Sequence, residues 1–185
     1  MQRHFGANIA TPRYITFIAM MTAICVVGRY IFQFLPNIQP VTDILIFLTI
    51  YYSFAVGVFV SILSILISNI LLGFGPWTIP QIMAYLVVVL VVTAASHLRL
   101  VNRSIIVQSG LALLMGYLYG FTVSLGQLPV LGGWHQVIVY WLGGLSFDTL
   151  HAGGNLVIYL ICMPALKQTF IRLHNHIPVP MRYQD

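Results

Sequence analysis

Carboxylates are almost missing from this chain. Glutamate does not occur, and the acids are Asp43, Asp148 and the chain-terminal Asp185. Charged residues of either sign make up 6% of the sequence against 59% hydrophobic residues, and the mean hydropathy is +0.94. Water-soluble domains of 185 residues carry far more charge than this, so the soluble globular class is excluded and a polytopic membrane protein is implied. A spanning helix takes about 20 residues. The chain therefore has room for roughly six spans and for no extramembrane catalytic domain.

Cysteine is scarce too. Cys25 and Cys162 each lie inside an apolar run and suit packing rather than a disulfide or a metal site. The histidines show no metal-binding spacing, and His174 and His176 fall in a basic tail. No catalytic set emerges. Ser146 precedes His151 by five residues but lacks the Gly-x-Ser-x-Gly elbow, and no second acid completes a triad. A phosphate-binding loop is also missing, so any energy from ATP has to come from a partner. An intramembrane hydrolase using Asp148, His151 and Ser146, and a ligand-free scaffold subunit, are the competing classes.

The formal charge is +5, but its distribution argues against nucleic acid. Arg3 and Arg13 precede the first apolar run, Arg99 and Arg103 share a mid-chain loop, and Lys167, Arg172 and Arg182 lie near the end. Basic groups bunched beside spans mark the cytoplasmic face. The basic start and apolar stretch imitate a signal peptide, but no cleavage site leads to a polar region, which predicts an uncleaved first helix.

The first span is expected over residues 14–35, ended by Pro36. Residues 41–72 are apolar throughout, and as one helix of 32 residues they would reach about 48 Å, well beyond a hydrocarbon core of about 30 Å. Two crossings, not one, also place Arg99 and Arg103 on the same side as the N-terminus. The pattern therefore predicts two short or tilted helices there. A fourth span is expected over 79–96, an inner loop over 97–103, a fifth span over 104–125 and an outer loop over 126–133. Residues 134–144 are too short to span and are read as an interfacial piece leading into a sixth span over 145–166. The expected fold is an all-α integral membrane bundle of six transmembrane helices, with cytoplasmic tails 1–13 and 167–185 on one transmembrane substrate-binding domain.

This topology gathers the polar segments 37–43, 73–81 and 127–155 at the outer end. Asp148, His151 and Asn155 are spaced i, i+3, i+7 on one helix face, either a ligand-facing set or internal glue with Asp148 paired to Arg29 or His151. Thr42 and Asp43 suit the start of the second helix, where capping explains them fully. Asn37 and Gln39, held between Pro36 and Pro40, suit a lid over a cavity. Arg29 has three roles open to it: snorkelling to the interface, pairing with Asp43 or Asp148, or holding an anionic ligand group. Ser61, Ser64 and Ser68 form a small-residue stripe for helix packing, with Asn69 placed to reach the cavity. Tyr140 and Trp141 read as an interfacial belt. Trp77 and Trp134, beside Gln81 and His135, suit belt or pocket wall equally.

Four stretches together resemble a known family. These are Ala19-xxx-Ala23, Pro-Asn-Ile-Gln-Pro-Val-Thr from Pro36, Asn-Ile-Leu-Leu-Gly-Phe-Gly-Pro-Trp-Thr from Asn69, and Phe-Asp-Thr-Leu-His-Ala-Gly-Gly-Asn from Phe147. The chain resembles the substrate-binding S-components of energy-coupling-factor (ECF) vitamin transporters. The resemblance implies a multi-pass protein of a bacterial plasma membrane that binds a vitamin in an outward cavity and has no intrinsic cofactor. It also implies docking, through Ala19 and Ala23, on a transmembrane coupling protein (T-component) carrying two cytoplasmic ATPases. The subgroup most similar is the cobalamin type, with pantothenate or folate next. The candidate ligand residues are then Asn37, Gln39, Asp43, Asn69, Trp77, Gln81, Trp134, Asp148, His151 and Asn155.

Overall fold

Apolar sequence broken only by short polar turns folds here into helices alone. The computed structural model describes residues 11–172, and no strand occurs among them. Arg3, His174, His176, Arg182, Asp185 and most of the two expected tails lie outside the described residues. The elements are α1 (Pro12–Ile31), α2 (Val41–Tyr51), α3 (Phe54–Leu72), α4 (Thr78–Ala95), α5 (Arg99–Arg103), α6 (Ile105–Gly126), α7 (Leu128–Leu131) and α8 (Trp134–Arg172). Five of these helices, α1, α3, α4, α6 and α8, are long and apolar enough to cross a membrane, and α2 is a shorter apolar helix.

Segment 41–72 does divide in two, but unequally. The break falls at Tyr52 and Ser53, and the Ser53 hydroxyl caps α3 by accepting from the Val56 N–H at 3.2 Å. The 11 residues of α2 cover about 16 Å, roughly half a hydrocarbon core. All of them are buried, because α2 packs against α3, α4, α6 and α8 at the centre of the bundle. Its start is lowered into the bundle. Pro40 packs on Gly28 in the last turns of α1, where a side chain would collide with the proline ring.

The expectation for residues 134–144 is corrected. They form no separate piece but the first turns of α8, whose 39 residues run unbroken through Gly143, Gly144 and Pro164 over about 58 Å. Residues 99–103 are a short helix rather than open loop, and 128–131 form a single helical turn ended by Gly132 in the left-handed region.

The tightest seam joins α6 to α8, and small residues make it. On α6 the positions Ala112, Gly116 and Gly120 follow one another at four-residue spacing, so they share a face. Gly116 sits so close to the Ala152 backbone that an added Cβ would lie 2.6 Å from its Cα. Gly120 meets the Asp148 carboxylate in the same way, and Ala112 O accepts from Asn155 Nδ2 at 3.4 Å.

The two ends of the bundle differ. At one end Phe17, Phe47, Tyr52 and Phe170 pack ring to ring at 4.6–6.4 Å, with Arg13, Arg99, Arg103, Lys167 and Arg172 on the adjoining turns. Polar side chains gather at the other end.

Candidate ligand-binding site

The α1–α2 connection, the start of α4, the end of α6 and the first half of α8 enclose a cavity of about 520 Å³ at the polar end. The connection supplies Asn37 and Gln39, and α4 supplies Gln81. From α6 come Tyr119, Gly120, Val123 and Ser124, and from α8 come Val139, Tyr140, Gly143, Gly144, Phe147 and Asp148. Aromatic and aliphatic walls with a few converging polar groups are the usual make-up of a small-molecule site.

Behind one side of this cavity lies a hydrogen-bond relay that starts at Arg29. This residue is buried against α3 and bonds neither Asp43 nor Asp148. Its Nε donates to Gln39 Oε1 at 2.8 Å, and the same guanidinium donates to Ser68 Oγ at 2.6 Å and Asn69 Oδ1 at 3.1 Å. The expected snorkelling and the expected ion pairs with Asp43 or Asp148 are therefore corrected. Neutral acceptors on α3 and the connection stand closer than either acid.

The relay has a direction. Guanidinium only donates, so it fixes which amide atom faces it. Asn69 must present Oδ1 to Arg29, which leaves its Nδ2 to donate to Thr78 Oγ1 at 3.0 Å and to Gln81 Oε1 at 2.8 Å. Gln39 likewise spends its oxygen on Arg29. The NH₂ groups of Gln39 and Gln81 are the parts left for the cavity, that of Gln81 beside the Tyr119 phenol.

On α8, His151 is held at both nitrogens. Nδ1 lies 2.8 Å from the carbonyl of Asn37, which only accepts, so the ring hydrogen sits there. In the neutral ring Nε2 then accepts from the Thr42 hydroxyl, 3.0 Å away. Asn37 occupies the left-handed region at φ 58°, a conformation asparagine adopts more readily than most residues. Its side-chain NH₂ donates to Phe147 O at 2.9 Å. The connection is thereby tied to α8 by both ends of one residue. Thr42 serves His151 and makes no capping bond, Pro40 takes the N-cap position, and the Asp43 carboxylate caps nothing. The capping bond expected of Thr42 and Asp43 is corrected accordingly, while Asp43 does stand in the first turn of α2 as expected.

Asp148 is 8% exposed and lines the cavity against Gly120. Among the described residues no hydrogen bond or ion pair reaches its carboxylate. Of the candidates taken from the sequence, Asn37, Gln39, Gln81 and Asp148 line the cavity. Asn69, His151, Asp43 and Asn155 are buried outside its lining, the first two positioning residues that do line it. Trp77 and Trp134 are exposed and stand clear of it. Tyr140, half exposed as a belt residue is expected to be, also lines the cavity. Tyr119, Gly120 and Ser124 join the lining with one sign in the sequence, the four-residue spacing of small residues leading to Gly120. Ser146 is exposed and His151 has both nitrogens engaged elsewhere, so the geometry sets up no serine–histidine pair.

The described residues form a helical bundle with a polar, partly closed cavity of small-molecule size at one end. The chain matches the family described as ECF transporter, substrate-specific component, over residues 13–163. It belongs to that family, and so is the substrate-specific subunit of an ECF importer, a transport protein that works with a T-component and ATPases. Neither the curated proteins nor the solved structures give a match to the chain.

Proposed function

We propose that this subunit captures a water-soluble vitamin in the 520 Å³ cavity, from the side of the membrane opposite the basic cluster of Arg13, Arg99, Arg103, Lys167 and Arg172. The observation that carries this is the segregation of the molecule: every cavity residue lies at one end, and Arg13, Arg99, Arg103, Lys167 and Arg172 at the other. By the charge rule the basic end is cytoplasmic, which makes the cavity outward-facing and gives six crossings if α2 counts as one. The resemblance puts cobalamin first. The cavity volume favours the smaller alternatives, of pantothenate or folate size, because about 300–1,000 Å³ serves a drug-sized ligand and a corrinoid would need the connection over residues 32–40 to lift from α8.

Docking on the T-component is assigned to α1. Ala19 and Ala23 are both exposed, one turn apart, beside the exposed Ile15, Met20 and Val27, while Phe17, Met21 and Cys25 face the core. That is a smooth apolar face for a partner helix. Coexpression with the T-component and ATPases, followed by pull-down and vitamin uptake, tests it. Ala19→Trp with Ala23→Trp is expected to abolish copurification and uptake while leaving vitamin binding by the isolated chain unchanged. Uptake by the isolated chain, or an undiminished complex in the double variant, sinks the proposal.

A further inference from the structure

The cavity is chemically two-sided, and its two sides specify a ligand. Arg29 turns the oxygens of Gln39 and Asn69 toward itself, and Asn69 passes that direction on to Gln81. Two amide NH₂ groups with a buried cation behind them therefore border the cavity, a surface that prefers acceptors and negative charge. Asp148, on α8, borders the same cavity with a carboxylate that no group of the described chain serves. An acid held at such a depth without a partner is costly to keep, and a donor arriving with the ligand removes that cost. The rings of Tyr119, Tyr140 and Phe147 line the same cavity and suit a flat or cationic body.

Resting on the capture function proposed above, we infer that the ligand is a dipolar, ring-bearing molecule. A cationic or N–H-donor edge of its heterocycle pairs with Asp148. Its carbonyl or carboxylate end accepts from Gln39 and Gln81. The pairing excludes two simpler classes: purely anionic ligands, which leave Asp148 unserved, and apolar ones, which serve neither side.

The chain purified in detergent, alone and with its T-component and ATPases, is the material for the test. The molecule it carries is released with methanol and identified by mass and fragmentation. The same preparation is titrated with three probes: folate, which has an N–H-donor ring edge and carboxylates, pantothenate, which has a carboxylate and no ring, and cobalamin. The released molecule is expected to contain both a donor heterocyclic edge and an acceptor end, with folate the tightest probe. Asp148→Asn and, separately, Gln81→Glu are each expected to weaken binding of the released molecule, or of folate, about tenfold or more. Thermal scans identify any variant that fails to fold, and the other variant then decides. A released ligand without a donor edge, tighter binding of pantothenate or cobalamin than of folate, unchanged affinity in the folded variants, or no binding at all overturns the inference. The capture function falls with it only if the chain also fails to copurify with the T-component and ATPases.

Discussion

Two buried ionisable side chains in this protein meet burial differently. Arg29 is surrounded by acceptors, three of them within 3.1 Å, so its cost of burial is offset by charge-assisted bonds. Asp43 is fully buried, and neither carboxylate oxygen has a hydrogen-bond partner among the described residues. Replacing the two should therefore give opposite results. Arg29→Met strands the oxygens of Gln39 and Asn69 and is expected to cost about 2–3 kcal/mol. Asp43→Asn keeps the shape of a side chain whose carboxyl oxygens have no hydrogen-bond partner, and is expected to hold or raise the thermal midpoint. Scanning fluorimetry of the two variants in one detergent checks this. A midpoint for Asp43→Asn below that of Arg29→Met would show that the carboxylate has a stabilising role absent from this account. None of these partnerships was legible in the sequence. Arg29 meets residues 39 and 40 positions away, and spacing along the chain carries no information about such contacts.

At the level of helices, the sequence told more about number than about ends. That residues 41–72 must be two helices followed from length and charge parity. Where they part did not, since the break at Tyr52–Ser53 contains neither glycine nor proline. The error at α8 runs the other way. Residues 134–144 were set apart as too short to span, yet lipid offers a helix no alternative hydrogen-bond partner, so α8 runs on through Gly143, Gly144 and Pro164. The seam with α6 is where glycine is required. Gly116 has the Ala152 backbone within 3 Å of a would-be Cβ, and Gly110 on the same helix has nothing within 4 Å. Gly116→Ala is expected to separate α6 from α8 and lower stability by about 1–3 kcal/mol. Gly110→Ala is expected to be neutral or slightly stabilising, as alanine is the better helix former. Equal midpoints for the two variants would mean that the seam yields without cost, and that its small residues serve something other than close packing.

For the whole molecule the decisive quantity is orientation, since a cavity captures vitamin from outside only if it opens there. The polar side chains and the basic side chains each made sense in the sequence, the first as a cluster and the second as topology marks. The structure adds that the length of the bundle separates the cavity from the topology marks, and that Arg29 is the one described arginine or lysine at the cavity end. Leu100 in α5, 65% exposed, stands beside Arg99 and Arg103 at the basic end. Val130 in α7, 66% exposed, stands just past the end of α6 on the cavity side. Cys25 is buried, and Cys162→Ala removes the exposed native thiol, so a single introduced cysteine reports its own position. In intact cells a membrane-impermeant maleimide is expected to label the Val130→Cys variant and to leave Leu100→Cys unlabelled until the membrane is opened with detergent. Arginine and lysine hold this orientation because the cytoplasmic side retains positive loops during insertion. Labelling of Leu100→Cys from outside would invert the molecule, place the cavity toward the cytoplasm, and leave a subunit facing the wrong pool to collect a nutrient.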